Sequence, residues 1–108
     1  MFSRGDVVKA PDPFGGHEGR PYIALSDDTH RFAGEEAIYA AITTTPRSEA
    51  IPITGSDFIS GSLPVDPSFA SPWALVTLKH DDVLKQEGTL DDQTTDRIGG
   101  NAAHYVDP

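Results

Sequence analysis

Gly15-Gly16-His17-Glu18-Gly19-Arg20-Pro21, followed by Tyr22-Ile23-Ala24-Leu25-Ser26, is a glycine-rich loop that delivers one arginine to the mouth of an apolar strand. An arginine in that position suits a phosphate, because the guanidinium is a planar fork of donors that keeps its charge at any working pH. Working outward, Arg4-Gly5-Asp6-Val7-Val8-Lys9 reads as a strand before the loop. Ala37-Ile38-Tyr39-Ala40-Ala41-Ile42-Thr43-Thr44-Thr45 reads as a strand after it that ends in hydroxyls. Residues 4–10, 20–26 and 36–45 are rich in Val, Ile, Tyr and Thr and are bounded by Gly, Pro and Asp, which predicts strands. Function is expected in the intervening loops, residues 11–19 and 27–35.

Farther on, Ile51-Pro52-Ile53 predicts an edge strand, since proline cannot donate a ladder hydrogen bond inside a sheet. Residues 54–72 read as a proline- and glycine-bearing meander pinned down by Phe58, Ile59, Leu63 and Phe69. Trp73-Ala74-Leu75-Val76-Thr77-Leu78 predicts a buried strand, with Trp73 inside. Leu90, Thr94, Ile98, Ala102, Tyr105 and Val106 recur at steps of three and four, which predicts a C-terminal helix. Thr89 and Asp92 approximate its capping pair. Gly99-Gly100 inside it costs about 1 kcal/mol each relative to Ala, so the helix has to dock to persist. Five or six short strands with one terminal helix predict an α+β domain around a small curled barrel.

At 108 residues the chain is read as a single domain, residues 1–108, with a core of modest size. It has no cysteine, which excludes disulfides and thiolate metal sites. The longest apolar run, residues 37–42, is far too short to span a bilayer, so the expectation is a soluble cytoplasmic protein without a membrane partner. Seventeen acidic side chains against 8 basic ones leave a formal net charge of -9, which repels nucleic acid at long range. Twelve of the 17 acids are Asp and only 3 of the 8 bases are Lys, a bias that suits a salt-loving source. At molar salt the Debye length is about 3 Å, and only basic groups at contact range then matter for binding.

The three N-terminal segments together resemble the MazF/PemK family of toxin endoribonucleases. The likeness runs from Arg4 to about Thr45: strand Arg-Gly-Asp-Val, then Gly-His-Glu, then Arg-Pro and an apolar strand. It implies an SH3-like barrel carrying helices, and a homodimer whose RNA groove lies across the interface. It also implies single-stranded RNA as substrate and a cognate antitoxin that silences the enzyme. By this resemblance Arg20 matches the catalytic arginine and Thr43 the hydroxyl that closes the third strand. Two departures stand out. The loop before the arginine is about three residues shorter than the family's, and Lys79-His80 occupies the place of a strand end bearing an arginine and a small polar residue.

The chemistry is consistent with that pair, because RNA carries its own nucleophile in the 2′-hydroxyl and needs no metal or cofactor. Arg20 would stabilise the charge that builds on the phosphorane, and Thr43 would hold a phosphoryl oxygen or orient the attacking hydroxyl. One well-placed donor of this kind is worth about 3–4 kcal/mol. His17, three residues before Arg20, titrates near neutrality and is the candidate base; the competing reading is a solvated loop residue. Phe14, Thr44, Lys79 and His80 are candidate RNA contacts, with Tyr22 and Phe32 as further stacking platforms.

Each signal has a plainer alternative. Arg20 could form a surface ion pair with Glu18 or Asp27. Asp27-Asp28-Thr29-His30 and His80-Asp81-Asp82 have no recognised ligand spacing and read as solvated turns rather than metal sites. Two rival functions remain open at this stage. One is a noncatalytic barrel that binds protein, and the other is a topoisomerase-poisoning toxin of the same fold that would depend on the C-terminal helix.

Overall fold

In the computed structural model, which describes residues 1–13 and 19–108, the predicted strands begin with β1 (Asp6–Ala10), β2 (Arg20–Ala24) and β3 (Glu36–Thr43). They pair antiparallel in the order β1, β2, β3. Alternation sends their apolar residues to both faces. Val7, Ile23, Ala40 and Ile42 fill one core, while Val8, Tyr22, Tyr39 and Ala41 fill a second on the opposite face. A sheet with both faces covered explains why these strands read as nearly unbroken apolar runs.

Ile51–Ile53 forms β4, which lies at one edge of the sheet as Pro52 requires. The meander expected over residues 54–72 is more ordered than the sequence suggested. A single 3-10 turn, Gly55–Asp57, leads into β5 (Phe58–Gly61), and β6 (Ser68–Lys79) begins before the segment ends. A further strand, β7 (Lys85–Leu90), went unread because Lys-Gln-Glu-Gly lacks strand-forming side chains. It is held between β1 and β5 by main-chain pairing. The count is therefore seven strands rather than five or six, in the order β4-β6-β3-β2-β1-β7-β5.

The edge strands β4 and β5 are separated by residues 54–57 alone. Five Cα steps reach at most about 18 Å. Six interstrand gaps in a flat sheet would need about 29 Å. The sheet must therefore curl until its edges approach, and this gives the expected α+β small barrel.

Helix α1 (Asp92–Val106) packs Ile98 into the first core together with Leu90 and Ile53. The helical face is Thr95, Ile98 and Ala102, and Leu90 belongs to β7. The capping pair differs from expectation. Asp91 is the N-cap and accepts the Thr94 N–H at 2.7 Å, whereas the Thr89 hydroxyl donates to Asp6 within the sheet. Gly99 has a packing reason: a Cβ there would sit 3.1 Å from the Arg4 guanidinium. Arg4 spans from the Leu25 carbonyl at 2.6 Å to Asp96 at 2.7 Å and so ties the helix to the end of β2. Among the described residues no helix is long and apolar enough to cross a membrane.

Candidate functional site

The register of β2 and β3 builds the site. Tyr22 lies opposite Ala41 in an antiparallel pair, so continuing that register by two residues sets Arg20 opposite Thr43. Because side chains alternate, Arg20 shares a face with Tyr22, and Thr43 shares that face with Ala41. All four line one open cavity of about 540 Å³. On the next strand Ser71 lies opposite Ala41 and extends the same row.

Beyond Ser71 the ladder breaks. Ala40 pairs with Leu75 while its neighbour Ala41 pairs with Ser71, so Pro72, Trp73 and Ala74 form an excursion in β6. Bulges bend a strand and re-aim side chains. Here the bulge brings Trp73 to the cavity wall, half-buried, rather than into the core where the sequence had placed it. Its indole meets the Tyr105 ring edge-on at a centroid separation of 5.9 Å. The Arg47 guanidinium, from the loop after β3, lies over the same indole at 5.4 Å.

Arg20 is held rather than loose. Its guanidinium donates to the Ile42 carbonyl at 3.5 Å, one residue from Thr43, and stands 3.9 Å from an Asp12 carboxylate oxygen. It also lies 5.8 Å from the centre of the Tyr22 ring. About a third of its side chain stays exposed, against 7% for Asp12, so the cation rather than the anion of this pair faces solvent. The partner is Asp12, not Asp27, whose carboxylate is taken up by the backbone and hydroxyl of Thr29. Glu18 lies outside the described residues.

The Thr43 hydroxyl accepts the Thr45 N–H at 3.2 Å, which fixes its oxygen and leaves its own proton to donate. Burial raises the Tyr22 phenol above its ordinary pKa; Arg20 opposes that shift and Asp12 adds to it. Tyr22 therefore meets a ligand as a neutral ring.

The remaining sequence candidates fall elsewhere. Phe14 and His17 lie outside the described residues. Thr44 is exposed beside Thr43 but does not line the cavity. Lys79 is exposed at the far end of β6, opposite Glu36, and the cavity involves the other end of that strand pair. His80 has a bracing position: Nδ1 accepts the Phe2 N–H at 3.4 Å and Nε2 donates to the Ala33 carbonyl at 2.7 Å. Phe32 is exposed away from the cavity with Arg31 over its ring.

Sequence reading missed Asp12, Arg47, Ser71 and the exposure of Trp73. Only Ser71 was within reach, through the register once β6 is paired with β3.

No protein-family model matches the sequence, and no curated protein matches it significantly. Solved structures do match its fold. One is an endoribonuclease in complex with its cognate antitoxin from a mycobacterial species, at 18% identity over 97% of this chain and 92% of that one, with a TM-score of 0.73. A second mycobacterial endoribonuclease gives 18% identity, coverage of 97% and 90%, and a TM-score of 0.74. The Mycobacterium tuberculosis toxin MazF-mt6 gives 20% identity, coverage of 94% of each chain, and a TM-score of 0.68. The chain has the fold of these endoribonucleases and of the MazF toxin.

Proposed function

We propose that the protein is the toxin of a type II toxin–antitoxin pair, an endoribonuclease that cuts single-stranded RNA without a metal. One observation carries the reading: Arg20 and Thr43 share a face and a cavity, with the guanidinium contacting the carbonyl next to Thr43. The fold shared with endoribonuclease toxins supports it.

In this mechanism the RNA 2′-oxygen attacks the adjacent phosphorus and the bond to the 5′-oxygen breaks. A 2′,3′-cyclic phosphate and a 5′-hydroxyl result. Negative charge grows on the nonbridging oxygens as the phosphorane forms. Arg20 meets one of them with its fork, and the Thr43 hydroxyl donates to the other. The Asp12 carboxylate orients the guanidinium from behind. His17 is the candidate acceptor for the 2′-proton, and a proton from solvent water on the leaving 5′-oxygen completes the reaction.

The partners follow the same reading: a homodimer with RNA bound across its interface, and an antitoxin whose disordered tail fills the groove, acting in the cytoplasm. One matched structure is itself a complex with a cognate antitoxin. The acidic surface fits a cell with concentrated salt inside.

The test is incubation with mixed-sequence RNA in potassium chloride and EDTA. Fragments ending in cyclic phosphate and 5′-hydroxyl are expected, and Arg20→Ala should slow their appearance on the order of 10²-fold. Cutting that needs a divalent ion, or that runs at the full rate in the variant, would contradict the proposal. Intact RNA with the wild type would favour a noncatalytic barrel or a topoisomerase-directed toxin.

A further inference from the structure

Trp73 is the chain's one tryptophan, and it is spent on a cavity wall rather than a core. Nothing in an uninterrupted β6 would put it there. Without Pro72, Trp73 and Ala74 the ladder would run from Ser71 to Leu75 in unbroken register with Ala41 and Ala40. The excursion thus serves to present the indole beside Arg20, Thr43 and Ser71. Tyr105 of α1 braces the ring edge-on.

What covers the indole is equally informative. Arg47 comes from an exposed loop position, and its guanidinium lies over the ring at 5.4 Å. A guanidinium and a nucleobase are both planar groups that stack on an aromatic face, so Arg47 occupies the space a base would take. Arg47 is also a second cation on the cavity. Released from the indole, it could reach a phosphate with the same fork that Arg20 offers.

We propose that Trp73 and Arg47 form an exchange subsite for one nucleotide of single-stranded RNA. A base next to the scissile phosphate displaces the guanidinium and stacks on Trp73, and the freed Arg47 pairs with a neighbouring phosphate. The inference rests on the endoribonuclease reading for the identity of its ligand. Stacking is tolerant of base identity, so the subsite adds affinity and register rather than strict sequence choice. The exchange also fits a strongly acidic molecule. Arg47 stays committed to the indole until a base arrives, so a bare anion gains little from it.

The single tryptophan makes the test direct, because its emission reports on this site alone. The probes are a mixed-sequence 2′-O-methyl RNA hexamer, whose blocked 2′-oxygen cannot attack, and an abasic oligomer with the same number of phosphates. The hexamer is expected to quench the emission saturably, and the abasic oligomer to bind without quenching. Trp73→Ala should weaken the labelled hexamer roughly 5- to 150-fold by anisotropy without weakening the abasic oligomer, which can now meet the freed Arg47. Arg47→Ala, at an exposed loop position that the fold does not need, should keep the quench. It should lower the slope of log affinity against log salt by about 0.7, the value for one single-strand phosphate contact.

Equal quenching by the abasic oligomer, or hexamer affinity indifferent to Trp73→Ala, would overturn the subsite. Quenching by the hexamer while RNA stays uncut would leave the subsite standing and remove the nuclease reading. Cutting without any quench would do the reverse, and no saturable binding of either probe would remove both.

Discussion

Arg20 is set by three neighbours of different kinds: the Ile42 carbonyl, the Asp12 carboxylate and the Tyr22 ring. Together they aim a fork, and a charge alone does not substitute for it. Arg20→Lys keeps the cation but loses the second donor plane, so kcat should fall about 10²-fold or more with a much smaller change in KM. Steady-state kinetics on a fluorogenic RNA would check the split; equal loss in both constants would show a role in binding only. Arg20 and Thr43 were picked out in the sequence by the family resemblance rather than by any period, and the β2–β3 register sets the two on one cavity. Asp12, Arg47 and Trp73 were not legible. Each reaches the cavity from a loop or a bulge, where no period relates sequence position to direction. Lys79-His80 shows the converse, since its place along the strand was read correctly but the cavity lies at the strand's other end.

At the level of elements, β7 persists on pairing rather than propensity, and its join to β5 depends on close backbone approach. Gly61 sits at φ 71° opposite Gly88, and a Cβ on it would overlap the Glu87 carbonyl oxygen. Gly61→Ala should cost about 1–3 kcal/mol from the backbone conformation alone, read as a lower midpoint in urea denaturation. A midpoint within error of the wild type would show that this edge yields. The helix start gives a pH signature. Hydrogen bonds from the Thr94 hydroxyl and N–H hold Asp91 below its ordinary value of 3.8. The folded state binds that proton less readily than the unfolded chain does. Asp91 therefore contributes fully above the unfolded value, and the contribution is lost as pH falls through the lower folded one. Asp91→Asn should flatten part of the decline in melting temperature below about pH 4, and an unchanged slope would contradict the cap. The sequence showed the helix by its period but placed the cap two residues early, at Thr89, because a hydroxyl before a helix and a hydroxyl in a strand look alike. The β6 bulge admits a sharper trial. Deleting Pro72, Trp73 and Ala74 joins Ser71 to Leu75 in register, so the variant should fold with a lower melting temperature and lose RNA cleavage. Retained cleavage would separate the bulge from function.

For the molecule as a whole, the curl was legible and the strand count was not. The Val, Ile and Tyr strands announce a sheet, but β7 has almost no strand-forming side chains and β5 hides within a proline- and glycine-bearing segment. A formal net charge of -9 repels a polyanion, while the cavity presents Arg20 and Arg47. Screening should help the distant term more than it harms the contact term. Cleavage efficiency should therefore rise from low salt toward about 0.15 M, where the Debye length is about 8 Å, whereas a basic nuclease would weaken over that range. A steady decline with salt would mean that steering at the cavity dominates. The whole account rests on Arg20 and Thr43 acting on one phosphodiester, and a double-mutant cycle in kcat/KM with Arg20→Ala and Thr43→Val measures that most directly. The account predicts that each single change costs on the order of 10²-fold and that the double variant is little worse than the poorer single one. Losses that simply multiply, or a full rate in either single variant, would contradict it.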